Sequence, residues 1–220
     1  MSIILDKLST YNPISTDIIR WLRMTYLTYQ SHRLPHITHS SILQQSGIIS
    51  VSDLDELGHC NNMRYLREAE FCRIYFMMRS NIWSSLITMS KQRNQLCGFV
   101  LANSYVRYRQ QLLLGDKFVT TCKILCWNAK SVFFEQTIIC NNRIHFYVIF
   151  QQSTINCTAN ELMSYITSEK SPDMPPHVKQ WLTSQESSKS HIPFSENDVI
   201  TYLANNNSVS EQNTTATSKL

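Results

Sequence analysis

Residues 97 to 152 carry four strand-like runs in unbroken succession, and no other feature constrains the fold of this 220-residue chain so tightly. The runs are CGFVLANSYVRYRQ (97–110), KFVTTCKILCW (117–127), SVFFEQTIIC (131–140) and RIHFYVIFQQ (143–152), all rich in β-branched and aromatic residues. They are separated by short polar links, GD at 115–116, NAK at 128–130 and NN at 141–142. Such links fold a strand straight back on its neighbour, so successive runs are expected to pair antiparallel.

What the sheet packs against lies upstream. From Asn62 to about Trp83 the chain has no Gly or Pro and repeats Leu66, Ala69, Cys72 and Phe76 at the spacing of a long helix. Tyr65, Phe71, Ile74, Tyr75, Met77 and Met78 leave it apolar on most sides, and a helix of that kind has to be enclosed. GIISV (47–51) reads as one more short buried strand before it. The order strand, long helix, four-strand meander buries most apolar surface as one curved antiparallel sheet of about five strands around one central helix, an α+β fold. With 43% hydrophobic and 16% charged residues the chain can support one sizeable core.

The flanks read differently. Residues 15–30 place Ile18, Ile19, Trp21, Leu22, Tyr26 and Tyr29 at helical spacing, giving an amphipathic helix. It either docks on the domain or lies on a membrane surface with Arg20 and Arg23 near lipid phosphates. The expected organisation is a helix and linker over 1–40, the main domain over 41–170, a docking segment over 171–204 and a polar, disordered tail over 205–220. A short helix is expected in TANELMSYIT, before SPDMPP ends regular structure.

Composition excludes several classes. The net charge of +4 comes without any block of five like charges, so nucleic acid is not an expected partner. Seven cysteines without a CxxC pair read as reduced core residues in an intracellular protein, not a disulfide framework or a zinc site. No stretch reaches the roughly 18 apolar residues of a membrane span, and the first residues lack the order of a secretory signal. A soluble or peripheral protein is expected. Sequons at Asn156, Asn206 and Asn213 matter only on the secretory route.

The chemistry concentrates in DLDELGHCNN (53–62), a corner between apolar strand and long helix. Free N–H groups of the helix's first turn, around Asn61 to Arg64, point at whatever lies in front of it, and the helix dipole favours negative charge there. A carboxylate on the preceding loop then stands beside a carbonyl polarised at that spot. The decad can therefore juxtapose a base or nucleophile with an oxyanion site.

The pattern DxDxxGHxNNxxYLREAE, from Asp53 to Glu70, resembles the signature of hotdog-fold thioesterases of the 4-hydroxybenzoyl-CoA thioesterase-like kind, over about residues 46 to 185. The resemblance implies a hotdog fold and acyl-CoA thioester hydrolysis, with Asp55 as nucleophile or general base. His59 then serves as an acid or orients Asp55, and Asn61 positions water or substrate. Each has a plainer reading: Asp55 and Asn61 as helix or loop caps, His59 as a structural hydrogen-bonder. Asp53 reads as a turn carboxylate, and Gly58 as a position needing positive φ. Glu68 and Glu70 are second choices for the catalytic carboxylate, with ion pairs to Arg64 and Arg73 as their plainer reading.

Coenzyme A, as part of the substrate, presents phosphates that Arg107, Arg109, Lys117 and Lys130 could grip. No other cofactor and no metal is expected. The resemblance also implies a homodimer with sites at the subunit boundary. The chain departs from the family in two places: an amphipathic segment replaces a hydrophobic N-terminal anchor, and Cys60 fills a slot that commonly holds a small aliphatic. The expected location is cytoplasmic, with residues 15–30 permitting peripheral contact at the endoplasmic reticulum. The alternative to an enzyme is a dimeric hotdog protein that binds acyl-CoA or a lipid, or acts as a scaffold, without turnover.

Overall fold

The computed structural model describes residues 14–189; the expected tail over 205–220, the end of the docking segment and the sequons at Asn206 and Asn213 lie outside them. The elements are α1 (Ile14–Arg33), β1 (Leu43–Ile48), α2 (Asn62–Arg79), α3 (Ile82–Arg93), β2 (Gly98–Tyr108), β3 (Lys117–Trp127), β4 (Ser131–Cys140), β5 (Arg143–Ile155), α4 (Ala159–Ser164) and α5 (Pro176–Lys189). Residues up to Met174 form one compact unit, and α5 belongs to a second that starts at Pro175.

The strands form a single antiparallel sheet in the order β1-β3-β4-β5-β2. The turns behave as their residues require: Gly115, Asn141 and Asn142 all take positive φ, where Asn and Gly meet the least steric resistance. One face of the sheet packs on α2, as the all-round apolar pattern of that helix demands. Ala69, Cys72 and Phe76 are fully buried against it; Phe76 meets Phe134 edge to face, and the Cys72 thiol donates to the Thr120 carbonyl. Gln136, fully buried, donates its amide to the Ala69 carbonyl at 2.8 Å. This is the hotdog arrangement, a sheet curled around one central helix.

Four expectations are corrected. β2, expected to pair with its successor, pairs with β5 instead, because the link over 109–116 is too long for a tight turn and carries the chain across to the other side of the sheet before β3 begins. The strand expected at 47–51 runs instead over Leu43–Ile48, because Ile49 turns to exchange backbone hydrogen bonds with Gly115 and Asp116, and Val51–Asp53 forms a single tight helical turn. The helix expected to run to Trp83 ends at Arg79, since Asn81 adopts a left-handed conformation (φ 63°) and α3 restarts at Ile82. The linker expected after Gln30 is helical for one more turn, ending just before Leu34-Pro35, where the proline ring disfavours further helix.

α1 is joined to α2 rather than tethered by a linker. Leu27 is 2% exposed within the core, and Arg23 makes a two-pronged bond to Glu68, Nη1 to Oε1 at 2.8 Å and Nη2 to Oε2 at 2.7 Å. Leu22, Tyr26 and Tyr29 remain exposed. Among the described residues, no helix is long and apolar enough to cross a membrane. All seven cysteines are unpaired thiols, six of them buried.

Candidate active site

The corner between β1 and α2 is held by its own backbone. Asp55 N–H donates to the His59 carbonyl at 2.8 Å, Gly58 N–H returns to the Asp55 carbonyl at 3.1 Å, and Gly58 sits at φ +79°, which explains a glycine there. Asn61 N–H then donates to the Asp53 carbonyl, and Cys60 N–H to the Leu112 carbonyl, so the corner is stitched to the loop after β2. His59 also bridges Leu113.

Asp55 projects from this turn with about 30% of its side chain exposed. Its Oδ1 accepts from Leu57 N–H at 2.9 Å and His59 N–H at 3.3 Å, and His59 Nδ1 lies 3.4 Å from Oδ2. Partial burial acts to raise its pKa, but these donors together outweigh it and hold the carboxyl below the ordinary carboxylate value. Asp55 is therefore a carboxylate at neutral pH, paired with an imidazole at its flank.

The other polar residues divide by partner. Asn61 is the N-cap of α2, its Oδ1 accepting from Met63 N–H at 2.9 Å. Arg64 N–H bonds the Asn61 carbonyl. Of the donors expected around Asn61 to Arg64, only the Asn62 N–H lacks an acceptor among the described residues, and it is the one left for an oxyanion. Asp53 is buried and points the other way: it accepts from Ser50 N–H and Oγ and from Arg67 Nη2 at 2.7 Å. Burial raises its pKa, and the Ser50 and Arg67 contacts more than reverse that, so Asp53 is an ionised structural group.

The expected pairing of Glu68 with Arg64 does not form. Glu68 is taken by Arg23 and Arg67, while Arg64 turns to the Ser52 carbonyl at 2.8 Å. Arg73 is buried and stacks 4.1 Å over the Phe150 ring. Burial, with the Asp53 and Glu68 charges, pushes the Cys60 thiol up to about 12, so the corner holds no thiolate nucleophile.

Two tyrosines complete the corner: Tyr65, which the sequence marked as a core residue and a position of the motif, and Tyr108, which it marked as part of a strand. Tyr65 Oη accepts from Leu112 N–H at 2.8 Å, and Tyr108 Oη donates to the Asn62 carbonyl at 3.3 Å. The two rings meet edge to face and both pack on Phe146. Their spacing in sequence carries no signal; only the sheet brings them together.

The four expected cations are all exposed. Arg107 and Arg109 lie at the corner end of β2, beside Tyr108, and Lys117 starts β3 next to the Gly115–Asp116 turn that bonds Ile49. Lys130 follows the far end of β3, roughly 33 Å from Lys117 at the rise of a strand. A single phosphate grip cannot include both. Among the described residues, no group of three or more His, Cys, Asp or Glu side chains could hold a metal.

Residues 49–182 match the family model of the thioesterase-like superfamily. The chain belongs to this superfamily. Its match begins at Ile49, takes in the whole corner and continues past the sheet. The thioesterase-like chain is 29% identical over 151 residues to Protein THEM6 of Xenopus laevis, covering 67% of this chain and 70% of that one. With Protein THEM6 of Drosophila melanogaster it shares 27% over 150 residues, 66% of this chain and 75% of the other. A probable thioesterase from Bartonella henselae superposes with a TM-score of 0.47 at 17% identity, over 61% of this chain and all of that one.

Proposed function

We propose that this protein hydrolyses an acyl-CoA thioester at the Asp55 corner. The observation that carries the reading is an ionised carboxylate, flanked by His59, on the turn immediately before a helix whose first free N–H is that of Asn62. With Asp55 as base, its carboxylate takes a proton from water as the water oxygen bonds to the acyl carbon. The carbonyl electrons move onto oxygen, which the Asn62 N–H stabilises. Collapse breaks the carbon–sulfur bond, and the leaving thiolate takes the proton back from Asp55, leaving free acid and coenzyme A.

Arg107 and Arg109, with Lys117 at the same end of the sheet, are the cations we assign to the nucleotide phosphates. β2 is an edge strand with Val100 and Leu101 exposed and with neither Lys nor Pro to protect it, so a second copy pairing there would join two sheets. That homodimer places each corner near the seam, because Tyr108 at the end of β2 bonds Asn62. The exposed Leu22, Tyr26 and Tyr29 of α1 are the surface proposed for peripheral membrane contact.

Binding without turnover is the second reading, favoured by one observation: both oxygens of Asp55 already meet donors within its own turn. Thiol release from short, medium and long acyl-CoA thioesters, with Asp55→Asn beside the wild type, decides between them. Release that collapses in a folded Asp55→Asn variant supports the enzyme. Saturable binding without release in either form sinks it.

A further inference from the structure

A cleft of about 1070 Å³ separates α1 from the free edge of β1, over the flank of α2. None of Asp55, His59 and Asn61 lines it, and β1 is the opposite edge of the sheet from β2, where the corner is anchored. Its volume lies at the top of the roughly 300–1,000 Å³ of small-molecule sites.

The cleft is two-natured. Leu27, Leu43, Phe71, Tyr75 and Phe118 give it an apolar floor, while Arg23, Arg64, Arg67 and Arg79 stand in its walls against, among the described residues, only two carboxylates, Asp53 and Glu68. Those carboxylates are spent: Glu68 holds Arg23 at 2.7 Å, and Asp53 holds Arg67 at 2.7 Å. Arg64 is left with the Ser52 carbonyl and a distant 3.8 Å approach to Asp53. Arg79, nearly buried, has only neutral partners among the described residues, the Pro35 carbonyl and the Tyr75 hydroxyl. Among the described residues, Arg79 therefore has no counter-ion and Arg64 only a long one at 3.8 Å, an arrangement that favours a bound anion. Gln45 Oε1 and Arg67 Nε, in the same walls, are shielded from solvent and have no partner among the described residues, so these walls hold unused hydrogen-bonding capacity.

We infer that this cleft is a second ligand site, for a single-chain anionic amphiphile whose acidic head pairs with Arg64 and whose tail lies along Phe71, Tyr75 and Leu27. From Arg64 to Arg79 the helix rises roughly 22 Å, a length a long acyl chain can span. Guanidinium binds carboxylate and phosphate heads alike through paired N–H donors. Tyr26 and Leu34, exposed at the rim, give the tail an apolar entrance. The site is independent of the chemistry at Asp55, so either can fail without the other.

Titration of the full-length chain with oleate, 1-oleoyl lysophosphatidate and uncharged oleyl alcohol tests this. One saturable site is expected for at least one of the two anions, and the tighter one identifies carboxylate or phosphate as the head. Arg64→Gln is expected to weaken it about tenfold, and Gln45→Trp, on the face of β1 shared with Leu43 and Gly47, to fill the cleft with the fold intact by circular dichroism and abolish it. Asp55→Asn is expected to bind as the wild type does. Equal affinity for oleyl alcohol, affinity unmoved in both cleft variants, or loss in Asp55→Asn overturns the site. No saturable binding of either anion also overturns it, leaving the β1 edge as a surface for an extended peptide.

Discussion

The guanidinium of Arg23 and the carboxylate of Glu68 face each other across 45 residues of chain with two parallel bonds of 2.8 and 2.7 Å, and Glu68 is only 10% exposed. This pair fastens an N-terminal helix to the central helix of the fold. Removing the carboxylate strands a partly buried cation and also removes a 3.5 Å contact of Arg67, so Glu68→Gln is expected to cost about 2 kcal/mol. Urea unfolding of Glu68→Gln, Arg23→Gln and the double variant checks it: the two losses should fall well short of adding.

Gly47 lies opposite Phe118 in the β1–β3 ladder, and a Cβ there would come within 2.3 Å of the ring's Cζ. Gly47→Ala is expected to destabilise by about 1–3 kcal/mol, through overpacking rather than backbone strain. Thermal melts of Gly47→Ala with and without Phe118→Leu separate the causes, because the smaller side chain should recover most of the loss.

Asp53 makes stability depend on acid. Its folded pKa is below the ordinary 3.8, so near that value the unfolded chain binds more protons and stability rises with pH. The Ser50 and Arg67 contacts therefore stabilise fully above the unfolded value and are lost as pH falls through the lower folded one. Acid titration followed by circular dichroism should show a shallower loss below pH 3.8 in Asp53→Asn, from a lower starting stability.

Asn81, exposed and left-handed between α2 and α3, gives a cleaner test of backbone cost. Asn81→Ala is expected to lose about 1 kcal/mol, since a Cβ without a polar group to compensate is disfavoured there. Asn81→Gly should be neutral or mildly stabilising in the same chemical denaturation.

The chain's apolar runs and polar links were enough, by themselves, to specify β2 to β5 as strands and the β3–β4 and β4–β5 hairpins, because strand periodicity and tight-turn chemistry are local; that β2 pairs with β5 and not with β3 was decided by the closed sheet. The all-round apolar pattern of 62–79 likewise required a helix inside a sheet, and the decad 53–62 marked the corner through residue types that are costly anywhere else. Other features depended on contacts distant in sequence. β1 begins four residues early because a polar edge strand, LQQSGI, is selected by its ladder with β3, not by its own hydrophobicity. Asp53 and Asp55 look equivalent in sequence, yet the first is buried against Arg67 and the second faces outward with His59. Tyr65 and Tyr108 meet beneath the corner, and four arginines gather beside β1, only after the sheet closes. Local pattern chooses the elements; which charges share a low-dielectric space is decided by packing alone.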